Sequence, residues 1–315
     1  MEQIVSSSKK AMTTKEIVKL ILRILVGVMF ITTAIMKLFS LDEFELYIYS
    51  FEILNFVTVT IFARLLIAFE FLIGVFLIAK IQYKYTWWLT MLTMIGFTLF
   101  LIYAAIFRND SNCHCFGDFI ELNPVSSIIK NLITIGILLL IKNEEDYQFR
   151  FKKWVAGIAV AIAVIVPFVV FPMDAVYNKF IGSNKEINIS AFGKMMQDTA
   201  IQRPDIEQGN YFMAFYLPGC QYCKLSIKKI HSIAERNDLD INRIKIMISG
   251  DEEHLRLFKE ESQTEDYPYY IISPFASMDI VYGQFPTFVY ISDGEVIKAT
   301  DFRGIDENEL VEFLQ

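Results

Sequence analysis

Long apolar stretches fill the first half of the chain, at 20–39, 57–79, 87–107, 125–141 and 154–171. A helix crosses a bilayer with roughly 17–25 such residues, so all five are expected spans, the fourth being the shortest. Trp87, Trp88 and Trp154 stand at run edges, where amphipathic rings favour the membrane interface. The first run is too long for a signal-peptide core, contains Arg23 and lacks a small-residue cleavage site behind it. It is expected to remain as a helix. Beyond about residue 186 the apolar runs shorten, and 211–217, though it alternates poorly, is aromatic and aliphatic as a buried central strand should be. The pattern predicts strands at 211–217, 243–249, 269–272, 288–292 and 295–300, the last two joined by an Asp293-Gly294 turn. Helices are predicted from 220 to about 237, at 251–262, and from 306 onward. The expected layout is a membrane domain at 1–172, a linker at 173–185 and a soluble α/β domain at 186–315.

Charge agrees with that division. The 315 residues are 54% hydrophobic with a net charge of −7, and the mean hydropathy is +0.40. Residues 184–315 hold 22 acidic and 13 basic side chains, leaving 14 acidic and 16 basic for 1–183. No basic face is large enough to attract a phosphate backbone, which excludes nucleic acid as a partner. The lipid bilayer is the expected surrounding of the first half.

The placement of Lys and Arg between runs sets the expected orientation. Lys9, Lys10, Lys15 and Lys19 precede the first run, whereas the loop at 40–56 has no basic residue. Lys80 and Lys84 flank the second connection, only Arg108 lies in the third, and Lys142, Arg150, Lys152 and Lys153 lie in the fourth. The alternation predicts a cytoplasmic N-terminus in a bacterial inner membrane. The first and third loops and the soluble domain are then extracytoplasmic, in the periplasm.

Several charges fall inside the runs, where they are costly. By counting along the helices, Lys37, Arg64 and Lys130 lie in the outer third and Glu70 nearer the middle. Lys37 and Lys130 can snorkel to headgroups, while the deeper Arg64 and Glu70 suit a protein-facing role. Together the four could surround a thiolate or a reduced quinone.

The four cysteines occur only as Cys113 with Cys115 and Cys220 with Cys223. None is left to staple distant segments, so each pair needs a local explanation. A disulfide between Cys113 and Cys115 would close a very small, strained and easily reduced ring, which suits redox exchange better than structure. A metal site built from Cys113, His114, Cys115 and Asp118 is the competing reading. Adjacent residues rarely converge on one tetrahedral ion, and no second ligand pair follows, so no metal is expected. Cys220 opens a predicted helix, where the macrodipole favours the thiolate, and Cys223 lies one turn further in. Lys224 stands where a c-type haem motif needs histidine. His231 and His254 have no ligand companions at suitable spacing, and Lys224, Lys228 and Lys229 read as a solvated helix face.

Two resemblances follow from these motifs. Cys113-x-Cys115-Phe116-Gly117, with Arg23, Gly27 and Lys37, Glu70 and Gly74, and Pro124 with Lys130-Asn131, resembles the MauE branch of DoxX-like membrane proteins over about 17–142. That resemblance implies a link to maturation of a disulfide-rich methylamine dehydrogenase subunit, with quinone as a candidate cofactor through the DoxX-like relatives. The strand, Cys220-x-x-Cys223 helix, strand, helix, Pro286-Thr287 strand, hairpin and final helix resemble a thioredoxin fold over about 186–315. Its insertion is similar to that of TlpA- and ResA-like members. This resemblance implies a cis Pro286 facing Cys220 and Cys223. Gly219 and Gln221-Tyr222 depart from the usual Trp-Cys-Gly-Pro-Cys pattern.

The expected architecture is therefore an α-helical membrane bundle of about five spans followed by an α/β thioredoxin fold. The leading functional expectation is a membrane thiol–disulfide oxidoreductase. It would exchange with a dithiol or disulfide client through Cys220 and Cys223, and these with Cys113 and Cys115. No cysteine lies in the bilayer or inside, so electrons must end at an outside partner or a membrane cofactor. The alternative is an assembly factor whose helices only anchor the thioredoxin domain. Solute transport has little support, since no inverted repeat is visible. The sequence leaves the client and the oligomeric state open.

Overall fold

Thr13 fixes the start of the first helix. Its hydroxyl accepts from the Glu16 N–H at 3.4 Å, and the Glu16 carboxylate accepts from the Thr13 N–H at 2.7 Å. This reciprocal capping box satisfies two donors that would otherwise be left open. The computed structural model describes residues 13–108, 123–142, 146, 150–198, 203–262, 264 and 266–315. They form two units, one up to Phe44 with Ile61–Phe171, the other Glu45–Thr60 with Pro172–Gln315.

The first unit is helical. It contains α1 (Thr14–Phe39), most of α3 (Phe56–Ala79), α4 (Tyr83–Phe107), α5 (Pro124–Leu140) and α6 (Lys152–Ile165), the last continued by a π-helical turn at Val166–Val170. The short α2 (Leu41–Tyr49) follows α1. Among the described residues four helices are long and apolar enough to cross a membrane, counting α6 with its extension. At 17 residues α5 is the short one, about 25 Å at helical rise. Leu25, Leu99 and Phe107 are 57%, 63% and 72% exposed, which is stable where acyl chains cover them.

Packing in this unit depends on a close approach of α1 and α3. A Cβ on Gly27 would lie 2.9 Å from the Gly74 carbonyl oxygen, and one on Gly74 would lie 2.6 Å from the Gly27 oxygen. Only glycine leaves room for that contact, the usual device for bringing membrane helices together. Nearby, Phe30, Leu77, Trp87 and Leu138 share a buried core. The Trp87 indole donates to the Leu138 oxygen at 2.8 Å, and the Tyr83 hydroxyl to the Ile141 oxygen at 2.6 Å. These bonds satisfy carbonyls that the end of α5 leaves open.

The second unit is built on a sheet of five strands. In chain order they are β1 (Asn210–Tyr216), β2 (Ile244–Ser249), β3 (Tyr269–Ile272), β4 (Thr287–Ser292) and β5 (Glu295–Thr300), arranged β3-β2-β1-β4-β5. β2 is parallel to β1 and to β3, while β4 is antiparallel to β1 and to β5. The crossover from β1 to β2 is α9 (Gln221–Arg236). Even-numbered residues of β1 (Phe212, Ala214 and Tyr216) share a core with Cys223, Ile227 and Ile230 of α9. Odd-numbered Met213 and Phe215 share the other core with Phe192 of α8 (Ile189–Gln197) and Ile280 of α11 (Pro274–Val281). That alternation is the period of two expected of a strand buried on both faces. Helices α10 (Glu252–Ser262) and α12 (Glu307–Leu314) complete a thioredoxin-like fold with an added parallel edge strand.

Glu45–Thr60 packs into this second unit. Leu46 and Phe56 contact Leu225 and Phe302, and Arg236 Nη1 donates to the Leu54 oxygen at 2.6 Å. Lys229 is fully buried. Its Nζ sits 4.2 Å from the Phe56 ring centre and pairs with Asp174 at 3.2 Å. The lysine stripe expected to be solvated is thus corrected at Lys229, although Lys228 is exposed. Asp174 opens α7 (Asp174–Phe180), a helix inside the stretch read as a linker.

Candidate redox site

β1 delivers the cysteines by a tight turn. After Tyr216 the chain passes through Leu217-Pro218-Gly219, with Gly219 at φ +80°, a conformation that glycine adopts without strain. A residue with a side chain would be strained at that φ. Cys220 is the N-cap of α9, and its Sγ accepts from the Cys223 N–H at 3.3 Å.

The two thiols differ sharply. Cys220 is partly exposed and Cys223 is buried. The hydrogen bond from the Cys223 side chain is the largest influence pulling the Cys220 thiol down to about 6. Burial opposes it, while the Cys223 and Tyr222 N–H groups and the Lys224 charge assist. Burial pushes the Cys223 thiol far above its ordinary range, and Cys220 adds to that. One thiol is a ready nucleophile near neutral pH. The other is held protonated.

Pro286 follows a cis peptide bond after Phe285. The next residue, Thr287, pairs with Phe215, so Pro286 lies at the end of β4 nearest the cysteine turn. His231 Nδ1 lies 3.2 Å from the Tyr267 hydroxyl, and His254 Nδ1 lies 2.7 Å from Asp251. The expectation that His254 lacks a carboxylate companion is thus corrected, since Asp251 stands three residues before it. Cys113 and Cys115 lie outside the described residues.

Among the described residues, the four charges expected to act together in the membrane half make the following contacts. Lys37 Nζ pairs with Glu70 Oε1 at 2.5 Å, with both residues buried. Lys130 and Asn131 line the same cavity as that pair. Arg64 Nε donates to the Pro167 oxygen at 3.2 Å, and its Nη2 to the Phe171 oxygen at 3.0 Å. It thereby satisfies carbonyls at the end of the last apolar helix.

Residues 15–142 match the family described as methylamine utilisation protein MauE. Protein TlpB of Flavobacterium psychrophilum is 26% identical over 347 aligned positions, which cover 91% of this chain and 92% of that one. No solved structure matches the chain significantly. The chain joins a MauE-like membrane region to a thioredoxin-like fold. The match to TlpB runs through both parts, so the joined arrangement is shared with that relative.

In the MauE-like region the cavity beside Lys37 and Glu70 encloses about 20 Å³. That is room for about one water molecule and not for a quinone ring. Among the described residues, Glu70 Oε2 and Asn131 Oδ1 are buried there without hydrogen-bond partners, a demand for a small donor such as water. Among the described residues, this cavity by itself does not hold a quinone ring. Among the described residues no cluster of His, Cys, Asp and Glu could hold a metal ion.

Two features of the thioredoxin-like part escaped the sequence reading. One is the contribution of Glu45–Thr60. A loop with Tyr49, Leu54 and Phe56 among its acidic residues is unusually aromatic for open solvent, and that was the available signal. The other is Tyr216, the last inward residue of β1.

Proposed function

We propose that this chain is a membrane thiol–disulfide oxidoreductase acting on the extracytoplasmic side, in the maturation of a client protein. The observation that carries the reading is the asymmetry of the Cys220–Cys223 pair, a partly exposed thiol held near 6 beside a buried, protonated one. In the oxidising direction a client thiolate attacks Cys220 of the disulfide, and Cys223 leaves. The second client thiol then displaces Cys220, giving a client disulfide and a reduced pair. That pair reduces a Cys113–Cys115 disulfide, so two electrons pass from client to loop, and a partner outside this chain removes them. Pro286 flanks the exchanging sulfurs. Packing of Glu45–Thr60 with the C-terminal residues supports a shared compartment for the first outer loop and the thioredoxin-like fold. The loop's lack of lysine and arginine supports calling that compartment the periplasm.

The test is a trap. In Cys223→Ala the mixed disulfide formed by Cys220 cannot be resolved. Non-reducing peptide mapping is expected to find Cys220 joined to Cys113 or Cys115 as well as to clients. Cys220 joined only to other proteins would overturn the relay and leave the helices as an anchor.

A further inference from the structure

The exchange reading leaves one buried polar group unused. Tyr216 is the last residue of β1 and shares a core layer with Cys223. Its ring is fixed, stacked on Phe258 at 5.3 Å between centroids and edge-on to Phe288 at 6.0 Å. Among the described residues its hydroxyl is buried without a hydrogen-bond partner of good geometry, although the Ser226 hydroxyl is close enough to influence it; such a condition is rare in folded proteins and in need of a reason. The Ser226 hydroxyl on α9 already donates to the Cys223 carbonyl oxygen at 2.9 Å. Burial pushes the Tyr216 phenol well above its usual range; Ser226 offsets part of this, and the Cys223 thiol adds to it. The phenol therefore stays protonated. It can donate a hydrogen bond but cannot act as a base.

The Cys223 thiol in the same core has the complementary need. Cys223 must carry negative charge during exchange, yet burial disfavours that charge. We propose that the Tyr216 hydroxyl donates a hydrogen bond to the Cys223 sulfur when that sulfur is negative. In resolution, Cys223 gives its proton to solvent and attacks Cys220 Sγ of the mixed disulfide. The Cys220–Cys223 bond forms, the bond to the client sulfur breaks, and the client leaves reduced, taking up a proton. In the reverse direction Cys223 is the leaving thiolate, and the same bond stabilises it. The inference rests on the exchange reading above.

The two steps can be timed separately. The full chain in detergent, with Cys113 and Cys115 replaced by serine, is reduced and mixed with one equivalent of the aromatic disulfide dithionitrobenzoate. Attack by Cys220 releases the first coloured thiolate, and attack by Cys223 releases the second. Tyr216→Phe keeps the ring and removes only the hydroxyl. It is expected to leave the first phase unchanged and slow the second roughly 10- to 100-fold, the scale of one hydrogen bond to a charged group. A more acidic donor, difluorotyrosine at 216, is expected to speed the second phase. An unchanged second phase, or equal slowing of both, would overturn the proposal. Absence of the first phase before any change at 216 would instead sink the exchange reading itself.

Discussion

Titration of Cys220 offers the sharpest check on the redox site. With its thiol near 6, about nine-tenths of Cys220 is thiolate at pH 7, against about one part in thirty for an ordinary cysteine near 8.5. The gain in thiolate is about 30-fold. A less basic thiolate is also a weaker nucleophile, by about 10- to 20-fold over that shift. The two nearly cancel, leaving roughly a twofold advantage at pH 7. The diagnostic quantity is therefore where the rate bends with pH. Alkylation of reduced Cys220 by iodoacetamide, followed by mass spectrometry of its peptide from pH 4 to 10, is expected to bend near 6 and stay flat above 8. Because the Cys223 side chain is the leading cause, Cys223→Ala is expected to move the bend upward, short of the ordinary value because backbone N–H groups still help. Lys224→Gln is expected to move it less, since that charge contributes least and is also paired with Glu261. A bend at or above 8.5, or a larger effect from Lys224 than from Cys223, would refute the reasoning.

The same shift has a stability consequence with a definite sign. The folded-state thiol value lies below the unfolded one, so its stabilisation is fully present above the unfolded value and fades as pH falls through about 6. The melting temperature of the reduced protein should fall relative to that of the oxidised form, which has no such thiol, as pH drops from 9 to 5. In the membrane region Gly74→Ala is expected to lower stability in detergent unfolding by about 1–3 kcal/mol, because the new Cβ meets the Gly27 oxygen. Gly96→Ala has open space within 4 Å and is expected to be neutral or slightly stabilising. Equal effects would refute the close helix contact. Glu70→Gln leaves the Lys37 charge buried without its carboxylate and is expected to destabilise by about 3–5 kcal/mol, whereas Lys37→Met with Glu70→Leu recovers much of the loss. Additive losses in the same unfolding assay would mean that the pair is not coupled.

Legibility in the sequence followed the range of the interactions. The long and short apolar runs and the cysteine turn are local patterns; β1 and α9 lie within a residue or two of the runs that mark them, and α1 starts six residues before its run and ends with it. Nothing local marks Lys229 for burial. Flanked by Lys228 and Ile230 on an amphipathic helix, it looks like a solvated cation until Asp174 and Phe56, far away in the chain, close around it. Arg64 and Glu70 show the same limit from the other side. Depth in the membrane required partners for both, but not which ones. Arg64 found backbone carbonyls, whereas Glu70 found Lys37. A buried charge must be matched, and its chemistry is known only once the match is seen. The cysteines needed no such partner from afar: the turn, the helix N-terminus and the one-turn spacing place an exposed thiol beside a buried one. For that reason the geometry of the proposed redox site was the most legible part of the chain, while Tyr216, which joins it only through the packing of β1 against α9, was not.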